Sequence, residues 1–127
     1  NRIIKAFFTD PAGTGNFYMQ QYSKPEKRPQ TAVLNDELTD GNETFTVRFF
    51  AELIPGEIIN IELMGISERY YNYMSKIYAT VSEVNVGPFQ TPPAQIRGNI
   101  INRTDEDDYA FGYFRLSQVS TIQHISE

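Results

Sequence analysis

Few residues of this chain are of the types that enzymes use for catalysis. The only histidine is His124, close to the end of the sequence, and there is no cysteine. A Ser-His-Asp relay needs an imidazole held rigidly by a carboxylate, and residues so near a terminus are often frayed. The short Gly13-Thr14-Gly15 lacks the third glycine of a dinucleotide fingerprint and the Lys-Ser/Thr of a phosphate loop. We therefore expect no enzymatic activity.

A run of four acidic residues, 105–108, is the one candidate metal site. Asp105, Asp107 and Asp108 carry carboxylate oxygens, the ligand type that Ca²⁺ takes. The glycine and the distal glutamate of a helix–loop–helix calcium loop are missing, and Asp36, Glu37 or Asp40 could supply further carboxylates. Because clustered acids usually form a solvated loop, we expect no cofactor, with Ca²⁺ at this loop as the alternative.

Three tyrosines form the candidate ligand-binding set. Tyr22, Tyr109 and Tyr113 lie in stretches that read as strands, where exposed rings could stack on sugars. The competing interpretation is that they are ordinary half-buried sheet residues, since tyrosine is common there.

Composition narrows the class of protein. The 127 residues fit one β-rich domain, 1–127, and the formal charge of −5 argues against a nucleic-acid partner. Phe and Tyr make up the whole 13% aromatic share, which favours strands. No apolar run is long enough for a transmembrane segment.

The clearest predicted element is a central hairpin. Phe45, Val47 and Phe49 begin one alternating apolar face that continues to Leu53, and Phe50 alone breaks the alternation. Pro55-Gly56 suits a type II turn, after which Ile59, Ile61 and Leu63 alternate with polar residues.

Weaker patterns predict further strands and one helix. The strands span Arg2–Phe8, Asn16–Tyr22, Tyr109–Leu116 and Ser117–Ile125. The last could be an edge strand that pairs with a partner, or a protected edge. From Ser67, a candidate N-cap, to Ser82, apolar residues recur at helical spacing: Tyr70, Met74, Ile77, Tyr78 and Val81.

The helix is expected to end before Gly87-Pro88, and a Pro-rich crossing, 88–93, is expected to follow it. The predicted fold is all-β in the main, an antiparallel sandwich or partly open barrel of six to eight strands with one helix inserted near 67–82.

Several motifs in order carry a resemblance to a known family. They are 10–18 (DPAGTGNFY), Gly56-Glu57 leading to 66–73 (ISERYYNY), Pro88-Phe89 with Pro92-Pro93, Gly98-Asn99-Ile100 with Asn102, and Gly112-Tyr113-Phe114. In this order they resemble the C-terminal part of a Bacteroidota outer-membrane lipoprotein family of unknown function. The family's stretch before Gly-Tyr-Phe is often Gly-rich, whereas this chain has 105–109 (DEDDY) there.

The resemblance implies a cell-envelope location, a lipid anchor on a longer full-length protein, and genes neighbouring TonB-dependent receptors. We accordingly expect a non-catalytic binding or assembly module accessory to a TonB-dependent transport system. The alternatives are a free-standing carbohydrate- or peptide-binding adhesin-like domain and a calcium-dependent hydrolase fragment.

Overall fold

The computed structural model describes residues 2–83 and 96–127, which divide between two compact units. The first unit comprises residues 1–66 and 117–127, and the second comprises 67–116. The Pro-rich crossing expected at 88–93 lies outside the described residues.

The first unit is a β-sandwich of six antiparallel strands. They are β1 (Arg2–Thr9), β2 (Phe17–Ser23), β3 (Gln30–Asn35), β4 (Glu43–Phe50), β5 (Ile58–Ile66) and β6 (Val119–Ile125). One sheet has the order β3-β2-β5-β6 and the other pairs β1 with β4. This confirms the predicted fold class, in its sandwich form.

The core of the first unit lies between the two sheets. Ile4 and Ala6 of β1 and Phe50 of β4 meet Tyr22 of β2 and Ile59 of β5. Ile59 is fully buried and Ile61 nearly so, which confirms the inward face predicted for this strand.

The predicted central hairpin is wrong, although its turn is right. Gly56 has a φ of 84° and Glu57 N–H donates to Ile54 O at 3.1 Å, as in a type II turn. Yet β4 pairs with β1, whereas β5 pairs with β2 and β6. The 51–57 connection therefore carries the chain from one sheet to the other instead of joining two strands that are paired with each other.

The apolar face of β4 lies on the outside of the sandwich, whereas the apolar face of a strand usually packs against the core. Phe45 and Phe49 are 49% and 67% exposed, while Phe50 is 5% exposed. The inward face carries Thr46, whose hydroxyl bonds the hydroxyl of buried Tyr22 at 3.0 Å. Because successive side chains of a strand alternate, burying Phe50 places the aromatic face outside.

The second unit contains one helix, α1 (Glu68–Glu83). Its start is capped as predicted: Ser67 Oγ accepts from the Tyr70 N–H at 3.2 Å. Tyr70 is buried, whereas Val81 at the far end of the predicted stripe is 65% exposed. No helix within the described ranges is long and apolar enough to cross a membrane.

Two further predictions need correction. β3 was not predicted, and the predicted strand Tyr109–Leu116 is irregular chain. In the latter, the side-chain amide of Asn99 both donates to Phe114 O at 2.7 Å and accepts from Phe114 N–H at 2.8 Å. A side chain thus supplies the hydrogen bonds that a neighbouring strand would give.

β6 is an edge strand, as the sequence suggested. Within the described residues it pairs with β5 alone, and all seven of its residues are exposed. The hydroxyl of Ser126, just after it, donates to Ile54 O, and Ser126 N–H donates to Glu57 O at 3.0 Å. These bonds tie the end of β6 to the type II turn.

Candidate functional sites

Three carboxylates meet at one end of the sandwich. Asp10 follows β1, Asp36 follows β3 and Asp40 lies in the turn before β4. One oxygen from each lies within 4.8 Å of the others, and Asp10 and Asp36 are buried. We call these three residues the aspartate cluster.

Hydrogen bonds from the chain already occupy each carboxylate of the aspartate cluster. The hydroxyl of Tyr18 and the amide of Asn16 donate to Asp10. Asn16 N–H donates to Asp36 at 2.7 Å, and Gly13 N–H donates to Asp40 at 2.8 Å. The cluster therefore ties the 10–16 loop to the loops after β3 and before β4.

The same contacts set the ionisation of the Asp10–Tyr18 pair. The bond from Tyr18, and then that from Asn16, lower the pKa of Asp10 against the opposing effect of burial. Burial, together with the adjacent Asp10 carboxylate, raises the pKa of the Tyr18 hydroxyl. Tyr18 thus stays protonated as a donor to an ionised carboxylate.

Carboxylate oxygens at this separation are the type of ligand that Ca²⁺ takes. However, donors of the protein account for the geometry of the aspartate cluster without an ion. Acidic residues alone do not identify a metal site, so we describe the aspartate cluster by its structural role, which is to connect three loops through hydrogen bonds.

The acidic loop 105–108 does not assemble the predicted calcium ligands. In the part of the chain that the structure describes, the aspartate cluster is the one group of three carboxylates within 4.8 Å, and Asp105, Asp107 and Asp108 are not in it. These aspartates are exposed, and Asp107 N–H donates to the Asp105 carboxylate at 3.0 Å. Asn102 helps to organise the loop, since its amide donates to Asp108 O at 2.6 Å.

The three predicted ligand-binding tyrosines have different environments. Tyr22 is only 2% exposed, and its ring belongs to the sandwich core. It must therefore be removed from the predicted stacking surface. Tyr109 and Tyr113 are half-buried residues of the second unit. Tyr109 packs edge-on against Phe111, with ring centroids 5.6 Å apart.

Tyr113 belongs to a groove beside α1. The groove has a volume of about 380 Å³, and Glu68 lines it together with Arg69, Asn72, Tyr73, Lys76, Arg97 and Tyr113. We call it the tyrosine–arginine groove. The ring of Tyr113 lies 5.2 Å from that of Tyr73 and 5.0 Å from that of Tyr70.

Tyr109 is linked to the groove through Arg97. The guanidinium of Arg97 lies 4.1 Å from the centre of the Tyr109 ring, a cation–π contact. Of the predicted set, Tyr113 alone lines this groove, whereas Tyr109 contacts one of its lining residues, Arg97. Sequence reasoning missed Arg69, Asn72 and Lys76, although their i, i+3 and i+7 spacing places them on one side of a helix.

The two segments that carry Arg97 and Tyr113 make a close backbone contact. A Cβ on Gly98 would lie 1.6 Å from Gly112 O, so only glycine fits at position 98. The paired bonds between Asn99 and Phe114 fix the next residues. These are the Gly98-Asn99 and Gly112-Tyr113-Phe114 motifs noted in the sequence, and their role here is to position Arg97 and Tyr113.

The outer face of the β1–β4 pair is a third candidate surface. Ile3 lies opposite Phe49, and Phe7 lies opposite Phe45; all four are about half exposed or more, from 49% to 67%. The rings of Phe7 and Phe45 are 5.4 Å apart, and the Lys5 ammonium lies over Phe45 at 5.3 Å. We call this set the aromatic outer face.

The chain belongs to a family of proteins of unknown function. Residues 1–123 match the family model described as Domain of unknown function (DUF4249). The comparison with curated proteins and the comparison with solved structures each gave no match.

Proposed function

We propose that this chain is a non-catalytic binding or assembly module of a Bacteroidota outer-membrane lipoprotein, accessory to a TonB-dependent transport system. In this proposal the full-length protein carries a lipid anchor and lies in the cell envelope. The partner, a TonB-dependent receptor, comes from the family resemblance. The structural observation that carries the assembly role is the aromatic outer face.

The aromatic outer face has the chemistry of a protein contact. Contiguous apolar area of this kind marks interaction sites on protein surfaces, and aromatic side chains are enriched at the buried centres of interfaces. Phe7, Phe45 and Phe49 stand on paired strands rather than on loops, so little conformational entropy is lost when a partner covers them.

The experiment is capture of the full-length lipoprotein from gently solubilised outer membranes, with quantification of the TonB-dependent receptor. Phe7→Thr combined with Phe49→Thr removes two outer rings while keeping a strand-forming residue at each position. The matched control is Leu38→Thr with Ile54→Thr, because these side chains are 96% and 70% exposed outside the face.

We expect wild type and control to retain the receptor in near-equal amount, and the Phe7/Phe49 variant to lose about tenfold or more of it, as for interface anchors. Circular dichroism must show that all three proteins are folded. Equal receptor recovery by the two variants would exclude this face as the contact. A bait recovered alone, or only with a second copy of itself, would overturn the receptor proposal.

A free-standing carbohydrate- or peptide-binding domain is the second candidate function. The tyrosine–arginine groove favours it, since ligand sites are concave and carry a few converging polar groups. Retained ligand binding by a bait that recovers no receptor would support it. The third hypothesis, a calcium-dependent hydrolase fragment, loses its proposed ligand set because Asp105, Asp107 and Asp108 do not converge.

A further inference from the structure

We propose that the tyrosine–arginine groove binds a saccharide that carries an anionic group. This ligand class goes beyond the proposed function, because it rests on the groove of the second unit and requires no receptor. Charge, unpaired polar groups and shape each contribute to it.

The groove concentrates positive charge on a negatively charged chain. Arg69, Lys76 and Arg97 line it against the single acid Glu68, whereas the whole chain has a formal charge of −5. As far as the structure describes the chain, no carboxylate forms an ion pair with these three cations. Glu68 offsets only part of the charge of the three cations, so the remaining positive field favours an anion in the groove.

The neutral groups of the groove suit hydroxyl-rich ligands. Within the described ranges, no hydrogen bond engages the Asn72 amide or the hydroxyls of Tyr73 and Tyr113. Polar groups of this kind can exchange water for the hydroxyls of a ligand. Glu68 adds an acceptor, which a polyhydroxylated ring can use and a simple anion cannot.

The groove is large enough for a small molecule. The volume of about 380 Å³ lies in the usual range of roughly 300–1,000 Å³ for ligand pockets. Tyr73 and Tyr113 are braced by ring contacts with each other and with Tyr70. These contacts hold the tyrosines in place before a ligand arrives, which reduces the entropy cost of binding.

The two walls of the groove place the cations at different points. Arg69 and Lys76 are seven residues apart on α1, about two turns of helix. Arg97 belongs to a different segment of the second unit, with its guanidinium against Tyr109. The groove thus offers an anionic group cations from two segments of the chain, and the tyrosines and Asn72 offer polar contacts to the remainder of the sugar.

The test is calorimetric titration of the folded chain with a galacturonic acid tetramer, with the neutral galactose tetramer and a tetraglutamate peptide as comparisons. Arg69→Gln with Lys76→Gln removes two groove cations. The matched control, Lys27→Gln with Arg28→Gln, removes the same charge from an exposed loop of the first unit. The two double variants therefore have the same net charge.

We expect the galacturonate tetramer to bind wild type and the Lys27/Arg28 control alike, and the Arg69/Lys76 variant about tenfold or more weakly, as for lost charge-assisted hydrogen bonds. The neutral tetramer and the peptide should each bind at least about tenfold more weakly than galacturonate.

Absence of galacturonate binding, or equal weakening by both double variants, would overturn the proposal. Equal binding of the neutral sugar would show that the anionic group is not recognised, and tighter binding of the peptide would replace the sugar as the ligand class. None of these results bears on receptor capture through the aromatic outer face, so the two proposals fail separately.

Discussion

At the scale of single residues, the most consequential contact is the one between Tyr18 and Asp10. Asp10 is 2% exposed, and a buried carboxylate needs donors to remain ionised. Tyr18, Asn16 and Gly41 supply them. These hydrogen bonds give the conspicuous 10–18 motif a role in folding.

Tyr18→Phe should destabilise the chain at neutral pH by about 1.5–3 kcal/mol, the range for a hydrogen bond to a charged group. The pKa of Asp10 is lowered in the folded state, so its contribution is present above the ordinary aspartate pKa of about 4 and is lost as pH falls through the folded value. The difference in unfolding free energy between wild type and the Tyr18→Phe variant should therefore become smaller in acid.

Urea unfolding from about pH 7 to about pH 2.5 measures this deficit. Tyr113→Phe is the matched control, since no hydrogen bond of its hydroxyl occurs within the described residues. A deficit that stays constant across the pH range would mean that Tyr18 does not act through the Asp10 charge.

At the scale of elements, side chains supply backbone hydrogen bonds in segments where no neighbouring strand does so. The stretch 109–116 alternates like a strand, yet Asn99 supplies both hydrogen bonds of Phe114. Asn102 does the same for the loop that follows, accepting from the N–H groups of Thr104 and Asp105 at 3.0 and 3.3 Å. Asparagine is suited to this because its amide both donates and accepts.

Asn99→Ala should lower the local stability of the segment around Phe114. Two exposed hydrogen bonds are lost, which we expect to cost about 1–2 kcal/mol in local stability. Amide hydrogen exchange at Phe114 should accelerate roughly tenfold, following the lost local stability. Asn72→Ala is the control, because no hydrogen bond of the Asn72 side chain occurs in the described ranges. Unchanged exchange at Phe114 in the Asn99 variant would contradict this role.

At the scale of the whole molecule, the sandwich decides which face of each strand is covered. The apolar face of β4 lies outside with Phe49, and Phe50 fills the core beside Tyr22, with ring centroids 6.2 Å apart. The aromatic outer face is therefore a product of sheet packing and offers the surface on which the assembly proposal rests.

Two adjacent substitutions test this orientation. Phe50→Ala should cost about 3–5 kcal/mol, as for a buried aromatic residue, because Phe50 is 5% exposed. Phe49→Ala, the matched control at 67% exposure, should cost about 1 kcal/mol or less. Chemical denaturation compares the two, and the opposite ranking would mean that β4 presents its other face to the core.

The sequence by itself determined the features that depend on neighbouring residues. Alternation placed Ile59 and Ile61 inside, Ser67 marked the start of the helix, and Pro55-Gly56 marked the turn. Each follows from backbone preferences or from periodicity within a few residues, which is why these predictions were confirmed.

Only the tertiary structure decided how distant segments combine. The same alternating pattern of β4 fits pairing with β5 or with β1, and its apolar face fits a core or a partner. Likewise, Asp10 meets residues about 30 positions away, and Arg97 joins a groove with α1. Strand pairing and side-chain convergence are long-range contacts chosen by the packing of the whole chain, and local propensity does not encode that choice.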